Sequence, residues 1–366
     1  VFDRLPEYPW QKLKPFREKA AQHCEGLIDL SVGNPIDPTP EVIQKALDGA
    51  SDSPGYPTTW GDVKARAAVA EWYSRRRAVP GLTADQVLLT IGSKEFISWL
   101  PIMLGIGPGD AVVQPRLAYT AYEVGAAFAG AELVVSDDPE DWPANTKLIW
   151  LNSPGNPNGS VHTANHMRRC VDKARSLGAV IVNDECYAEL GWENWDHIPC
   201  ILDPEVTGGD LKGILSIYSL SKQSNLAGYR AAFAAGDESL IRGLVNLRMH
   251  SGMMVPNPVQ QAMIVALGDE NHVREQKELY RARRAVLLPA VIAYGFKVED
   301  SEAGLYLWVT KGQNCWETIA ELAGLGILAV PGEFYGKAGE QYVRFSITAS
   351  DSDIERAASR LLNALG

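Results

Sequence analysis

Between about residues 42 and 267, short runs of contiguous apolar residues alternate with segments whose apolar positions recur at three- and four-residue spacing. This alternation is the signature of strands connected by helices, the α/β class with a mostly parallel sheet. The runs predict seven strands, at 86–91, 111–114, 132–136, 147–151, 179–183, 215–218 and 231–235, each bounded by Gly, Pro, Asp or Ser. Runs such as VLLTI, LIWL and AVIVN do not alternate with polar residues, so these strands are expected to be covered by helices on both faces. Ligands of such sheets bind beyond the carboxyl ends of the strands, which is where chemistry is sought.

After Gly268 the texture changes. A long charged helix over 272–294 is predicted to lead into strands at 296–299 and 305–309, a helix, strands at 327–330 and 342–347, and a closing helix over 351–365 capped by Asp351. The expected organisation is a large domain over 41–270 and a smaller α+β domain formed by 1–40 together with 271–366. The proline-rich opening (Pro6, Pro9, Pro15, Pro35, Pro38, Pro40) is expected to be an extended arm.

The chain has 366 residues, 46% of them hydrophobic and 22% charged, as expected of a globular protein with a sizeable core. A formal charge of −11 argues against nucleic acid or an anionic membrane as the main partner, since both select basic faces. Five scattered cysteines without a CxxC pair suggest neither a disulfide framework nor a zinc site, and no HExxH or GxxxxGK[ST] motif occurs. The opening VFDRLPEYPW lacks a basic and apolar signal, and no apolar stretch reaches membrane-spanning length, so a cytoplasmic protein is expected. GIGPGD, at 105–110, precedes a strand where a dinucleotide fingerprint would follow one, and reads as a turn.

Two strand ends carry the candidate chemistry. The strand at 179–183 runs into Asp184-Glu185-Cys186-Tyr187, and the strand at 215–218 into Ser219-Leu220-Ser221-Lys222, with Arg230 eight residues beyond the lysine. An Asp in that position often only caps a helix, and a lone lysine is usually solvated. Together, an amine, several hydroxyls and a guanidinium form a kit for an imine-forming lysine beside a phosphate.

With the loop NSPGNPNG (152–159), DECY and the S-x-S-K-x5-G-x-R segment in this order, the chain resembles the class I/II, fold-type I pyridoxal-phosphate (PLP) aminotransferases over nearly its whole length. The resemblance implies PLP held by Lys222, its ring nitrogen paired with Asp184, and Tyr187 and Asn156 at the ring oxygen. It further implies a phosphate site of Ser93, Lys94, Ser219, Ser221 and Arg230, with Tyr56 reaching the phosphate of a neighbouring subunit in a homodimer with shared active sites. Tyr119 takes the place of the ring stacked on the cofactor, although the element departs from the family's P-x-Y-P-x-Y by two extra residues and by Thr120 in place of a second proline. Gly33, Asn156 and Arg344 fall where the family binds substrate, Arg344 as the carboxylate clamp in the strand Tyr342-Val343-Arg344-Phe345-Ser346. Within the family the chain looks most like the succinyldiaminopimelate aminotransferases of actinobacteria. This implies transfer between N-succinyl-LL-2,6-diaminopimelate and 2-oxoglutarate in lysine biosynthesis, with Arg116, Lys94 or Arg248 as candidate partners of a distal carboxylate. Aspartate or alanine transamination and β-elimination from a cysteine conjugate share the same kit, and a non-catalytic PLP-binding regulatory domain is the more remote alternative.

Overall fold

The computed structural model describes residue 5 and residues 9–364; Pro6 of the opening and the expected helix end at 365 lie outside the described residues. The N-terminal segment contributes a short strand, β1 (Ile28–Asp29). The large sheet then takes seven strands: β2 (Val87–Ile91), β3 (Ala111–Gln114), β4 (Glu132–Val135), β5 (Thr146–Asn152), β6 (Val180–Asp184), β7 (Ile214–Ser219) and β8 (Ala231–Gly236). Their order is β2-β8-β7-β6-β5-β3-β4, parallel except for β8, which runs against both neighbours.

Alternate side chains of these strands feed two separate cores. Leu89 and Ile181 pack with Trp72, Tyr73 and Phe233 on one face, while Leu88 and Val182 pack with Phe96, Tyr122 and Trp150 on the other. Each face is thus covered, as the unbroken apolar runs require. Only the edge strand β4 is partly open to solvent. Gly130 and Gly178 close two crossover helices in the left-handed conformation, at φ 69° and 63°, a geometry glycine adopts without Cβ strain.

A 24-residue helix, Glu270–Ala293, begins on Asp269, whose carboxylate accepts from the Asn271 and His272 backbone amides. Beyond it lie β9 (Lys297–Val298), β10 (Tyr306–Thr310), β11 (Ile327–Leu328), β12 (Val330–Pro331) and β13 (Tyr342–Ser346). The antiparallel order β12-β13-β10-β9 places β10 and β13 at the centre, with Trp308 opposite Arg344.

Three expectations need correction. The closing helix is capped by Ser350, whose side chain accepts from the Asp353 amide, and Asp351 is its first residue. The run at 327–330 is not one strand: β11 pairs with β1, and β12 pairs with β13 in a different sheet. A contiguous apolar run does not reveal a change of partner midway. The proline-rich opening is not an extended arm throughout, since Pro9–Leu13 forms a 3₁₀ turn and Lys14–Ala21 an α-helix with Pro15 in its first turn. There the missing N–H has no helical acceptor to lose. Residues 31–40 then run as a strap between the two sheets. Arg283 grips Asp37 through two bonds of 2.8 and 2.6 Å, and Asn225 donates to the Pro38 carbonyl at 3.2 Å.

Candidate active site

Parallel pairing brings the two strand ends together. Asp184 is the last residue of β6 and stands in register with Asn152 on β5 and Ile217 on β7. From Ile217 the chain continues two residues along β7 and enters the short helix Leu220–Gln223, which carries Lys222. Both side chains line one cavity of about 690 Å3. The candidate cofactor and substrate residues named from the sequence line it too, except Tyr56, which is 95% exposed elsewhere on the surface, and the distal-carboxylate candidates Arg116 and Arg248.

Asp184 is buried and accepts from the Tyr122 hydroxyl at 3.0 Å and from the Cys186 amide at 3.2 Å. Burial raises its pKa above the usual carboxylate range, opposed by the donors on Cys186 and Tyr122. The neighbouring Glu185 points away and forms a buried pair with Arg77 at 2.9 Å, which anchors this turn from beneath. Lys222 donates to the Gly33 carbonyl, and burial lowers its pKa, so its neutral form is more accessible than that of a solvated lysine.

The loop after β5 is held by Asn152, whose Oδ1 accepts from the Asn156 amide at 2.8 Å and whose Nδ2 donates to the Asp184 carbonyl at 2.9 Å. Asn156 uses its Oδ1 to accept from Arg344 at 2.7 Å, so the donor end of its amide is the end left for a cavity ligand. Arg344 is buried, donates also to the Ser31 carbonyl at 3.0 Å, and lies over the rings of Tyr306 and Tyr335 at 3.8 and 4.9 Å. Among the described residues it pairs with no carboxylate, and its Nε has no hydrogen-bond partner. A desolvated guanidinium in that condition can receive a carboxylate.

At the other end of the cavity, Gly92 (φ 74°) opens the helix Ser93–Met103, which has no side-chain cap. The Gly92 amide donates to the Arg230 carbonyl at 2.8 Å, and a Cβ on Gly92 would overlap the Arg230 guanidinium. Arg230 therefore sits directly over free backbone donors at a helix N-terminus, beside Ser93, Lys94, Ser219 and Ser221. Such a group of donors can hold a phosphate. Ser219 donates to Ser221 at 2.8 Å, which leaves the Ser221 hydroxyl proton to face an anion. Tyr119 contributes a half-buried aromatic wall near Asp184, edge-on to Tyr122 at 5.9 Å.

The distal-carboxylate candidates separate. Arg248 is fully buried and engaged by Glu95 through bonds of 2.8 and 3.1 Å, so it is unavailable to substrate. Arg116 faces Asp137 at 3.5 Å and lines a second cavity on the far side of the Asn152 loop. Lys94 alone of the three lines the site. Tyr306, Tyr335 and Phe334 also line it and were not singled out from the sequence. Tyr306 and Trp308 are two residues apart on one strand opposite the Arg344 strand, a period-two spacing that places them on the same face.

The comparisons with known proteins agree with this geometry. Residues 25–361 match the family model described as aminotransferase class I and II, and the chain belongs to that family. It is 50% identical to the 4-dedimethylamino-4-oxo-anhydrotetracycline transaminase OxyQ of Streptomyces rimosus, with 98% of this chain and 99% of that protein covered. It is 47% identical to the probable aminotransferase Rv1178 of Mycobacterium tuberculosis (98% and 85% covered) and 33% identical to the LL-diaminopimelate aminotransferase of Aquifex aeolicus (98% and 97%). Among solved structures, an aminotransferase from Neisseria meningitidis superposes with a TM-score of 0.90 at 29% identity, covering 99% of this chain and 98% of that one. The protein is thus an aminotransferase with the fold of that class, acting on amino acids and 2-oxo acids, and the family depends on PLP. The residues present fit that cofactor: a buried acid for the ring nitrogen, a desolvated amine, and a capless helix N-terminus under an arginine for the phosphate. No helix among the described residues is long and apolar enough to cross a membrane.

Proposed function

We propose that this aminotransferase moves the amino group of an α-amino acid by proton transfer at Lys222, with Asp184 holding the PLP ring nitrogen in its protonated form. The observation that carries the reading is the convergence of Lys222, Asp184 and a carboxylate-free Arg344 on one cavity. Bound PLP supplies an electron sink for the charge left when the α-proton departs. Arg344, fixed by Asn156 and Ser31, receives the α-carboxylate through two parallel hydrogen bonds and so orients the α-carbon. Lys222 Nζ, whose pKa burial has lowered, takes the α-proton and would return it to the carbon two atoms away, beyond the transferred nitrogen. Tyr187 and the Asn156 amide donate to the ring oxygen. Arg230, Ser93, Lys94, Ser219 and Ser221 hold the phosphate, while Tyr119 packs on the ring face.

In this reading the divisions are 41–270 for the cofactor and 1–40 with 271–366 for closure over the substrate. The active unit is a cytoplasmic homodimer in which Tyr56, exposed on one protomer, serves the phosphate of the other. The pair of substrates is N-succinyl-LL-2,6-diaminopimelate and 2-oxoglutarate, supported by the sequence resemblance and by relatives named LL-diaminopimelate aminotransferase. A second reading, amination of a fused-ring ketone, is favoured by the relative at 50% identity and by the apolar outer wall of Trp10, Val32 and Phe334.

A half-reaction screen separates the two. The PLP-loaded protein is mixed with glutamate, N-succinyl-LL-2,6-diaminopimelate, aspartate and alanine, and loss of the visible band is followed. Rapid loss with the first two supports the diaminopimelate reading. Loss with glutamate alone supports the second, and no loss with any donor contradicts transamination. Arg344→Gln should raise KM for the reactive amino acid by about 10²-fold, since a buried charge loses its hydrogen-bonded partner. A simple amine without a carboxylate should react equally well with both forms.

A further inference from the structure

Tyr306, on β10, touches both the carboxylate end and the cofactor end of the site. Its ring lies flat under the Arg344 guanidinium at 3.8 Å, and its hydroxyl is 3.1 Å from that of Tyr187. A Cβ on Gly33 would overlap the same hydroxyl, so the strap, whose Gly33 carbonyl accepts from Lys222, can pass only because residue 33 is glycine. Phenol, guanidinium and amine are therefore packed around one point.

We infer that Tyr306 is a positioning residue with two separable tasks: its ring holds the Arg344 fork in place for the α-carboxylate, and its hydroxyl, in contact with that of Tyr187, fixes where the Tyr187 hydroxyl points beside the cofactor's ring oxygen. The inference rests on the functional reading above and deepens it.

The 3.1 Å contact ties the Tyr187 hydroxyl to that of Tyr306. The ionisable groups acting on Tyr306 are Arg344 from β13, Lys222 from the helix after β7 and Tyr187 from the turn after β6, with Tyr119, Tyr280 and Tyr335 around them. Burial alone would raise the Tyr306 pKa, but the Arg344 and Lys222 cations outweigh it and bring it below the ordinary phenol value. Burial raises that of Tyr187. Either hydroxyl can donate, and each fixes the direction in which the other points. The ring task follows from register. Arg344 stands opposite Trp308, so Tyr306 is its diagonal neighbour on the same face of the sheet, within reach of a long side chain. A cation over a desolvated ring is held more firmly than one over an exposed ring.

The test compares wild type, Tyr306→Phe and Tyr306→Leu as PLP-loaded proteins. Two quantities are read: the pH midpoint of the visible band, and KM and kcat for the amino donor that wild type accepts. Tyr306→Phe keeps the ring, so KM should stay within about twofold, while the band midpoint should shift by about half a pH unit as the Tyr187 hydroxyl loses the partner that fixes its direction. Tyr306→Leu removes both features and should in addition raise KM by about tenfold or more. A purely structural role would lower thermal stability without this split. Where Tyr306→Leu fails to fold, Tyr306→Met fills the space without a π face and takes its place. An unchanged midpoint in Tyr306→Phe overturns the hydroxyl task, and a KM in the Leu or Met variant equal to that of the Phe variant overturns the ring task. Either result with an active wild type leaves the aminotransferase reading intact. A wild type that takes up no PLP overturns both.

Discussion

Lys222→Ala should take up PLP more weakly, show no wild-type visible band, and lose turnover by about 10⁴-fold or more, the upper end of what a positioned proton-transfer group contributes. The loss is expected to be this large because the cavity offers no substitute. Of the other cations lining it, Lys94 and Arg230 lie at the phosphate cradle and Arg344 at the carboxylate end. Guanidinium groups also stay protonated at working pH. Added methylamine should restore part of the rate, since a small amine fits the space the side chain leaves. Steady-state kinetics with and without the amine checks this, and turnover above about one hundredth of wild type would remove Lys222 from its proposed role.

Asp184→Ala should retain some cofactor through the phosphate cradle yet lose about 10²- to 10³-fold in kcat, the cost of leaving a buried cation without its partner. The pH dependence has a defined sign. The carboxylate must be ionised to hold the ring nitrogen; burial raises its pKa while the donors on Cys186 and Tyr122, and a ring cation beside it, favour the anion, so activity falls as pH drops through the carboxyl's pKa in the loaded enzyme. Tyr122 donates to Asp184 at 3.0 Å and favours the anion. Tyr122→Phe should therefore move the acid limb of kcat/KM to higher pH, and Asp184→Ala should lack that limb. An acid limb at the same pH in wild type and Tyr122→Phe would show that this hydrogen bond does not tune the carboxyl.

The features legible in the sequence were those that rest on local chemistry. Unbroken apolar runs gave away strands covered on both faces, because each strand sends side chains into two cores. The strand-end motifs could be placed because a parallel sheet brings its carboxyl ends to one edge, and β5, β6 and β7 are adjacent in it. Pairing choices were not legible. Residues 327–330 divide between two sheets, a decision made by β1, about three hundred residues earlier. Whether an arginine is free also depends on tertiary contacts: Arg248 is consumed by Glu95, 153 residues away in sequence, whereas Arg344 meets no acid among the described residues. Tyr306 escaped notice because a tyrosine in a strand of alternating large residues carries no motif. Only the antiparallel register of β10 against β13 puts it beside Arg344.

The most direct measurement is reductive trapping of the cofactor. The protein is loaded with PLP, treated with borohydride, digested and mapped by mass spectrometry. A single pyridoxyl-labelled peptide containing Lys222 is the expected result. A label on Lys94 or another lysine, or no label on a folded protein, would contradict the central claim.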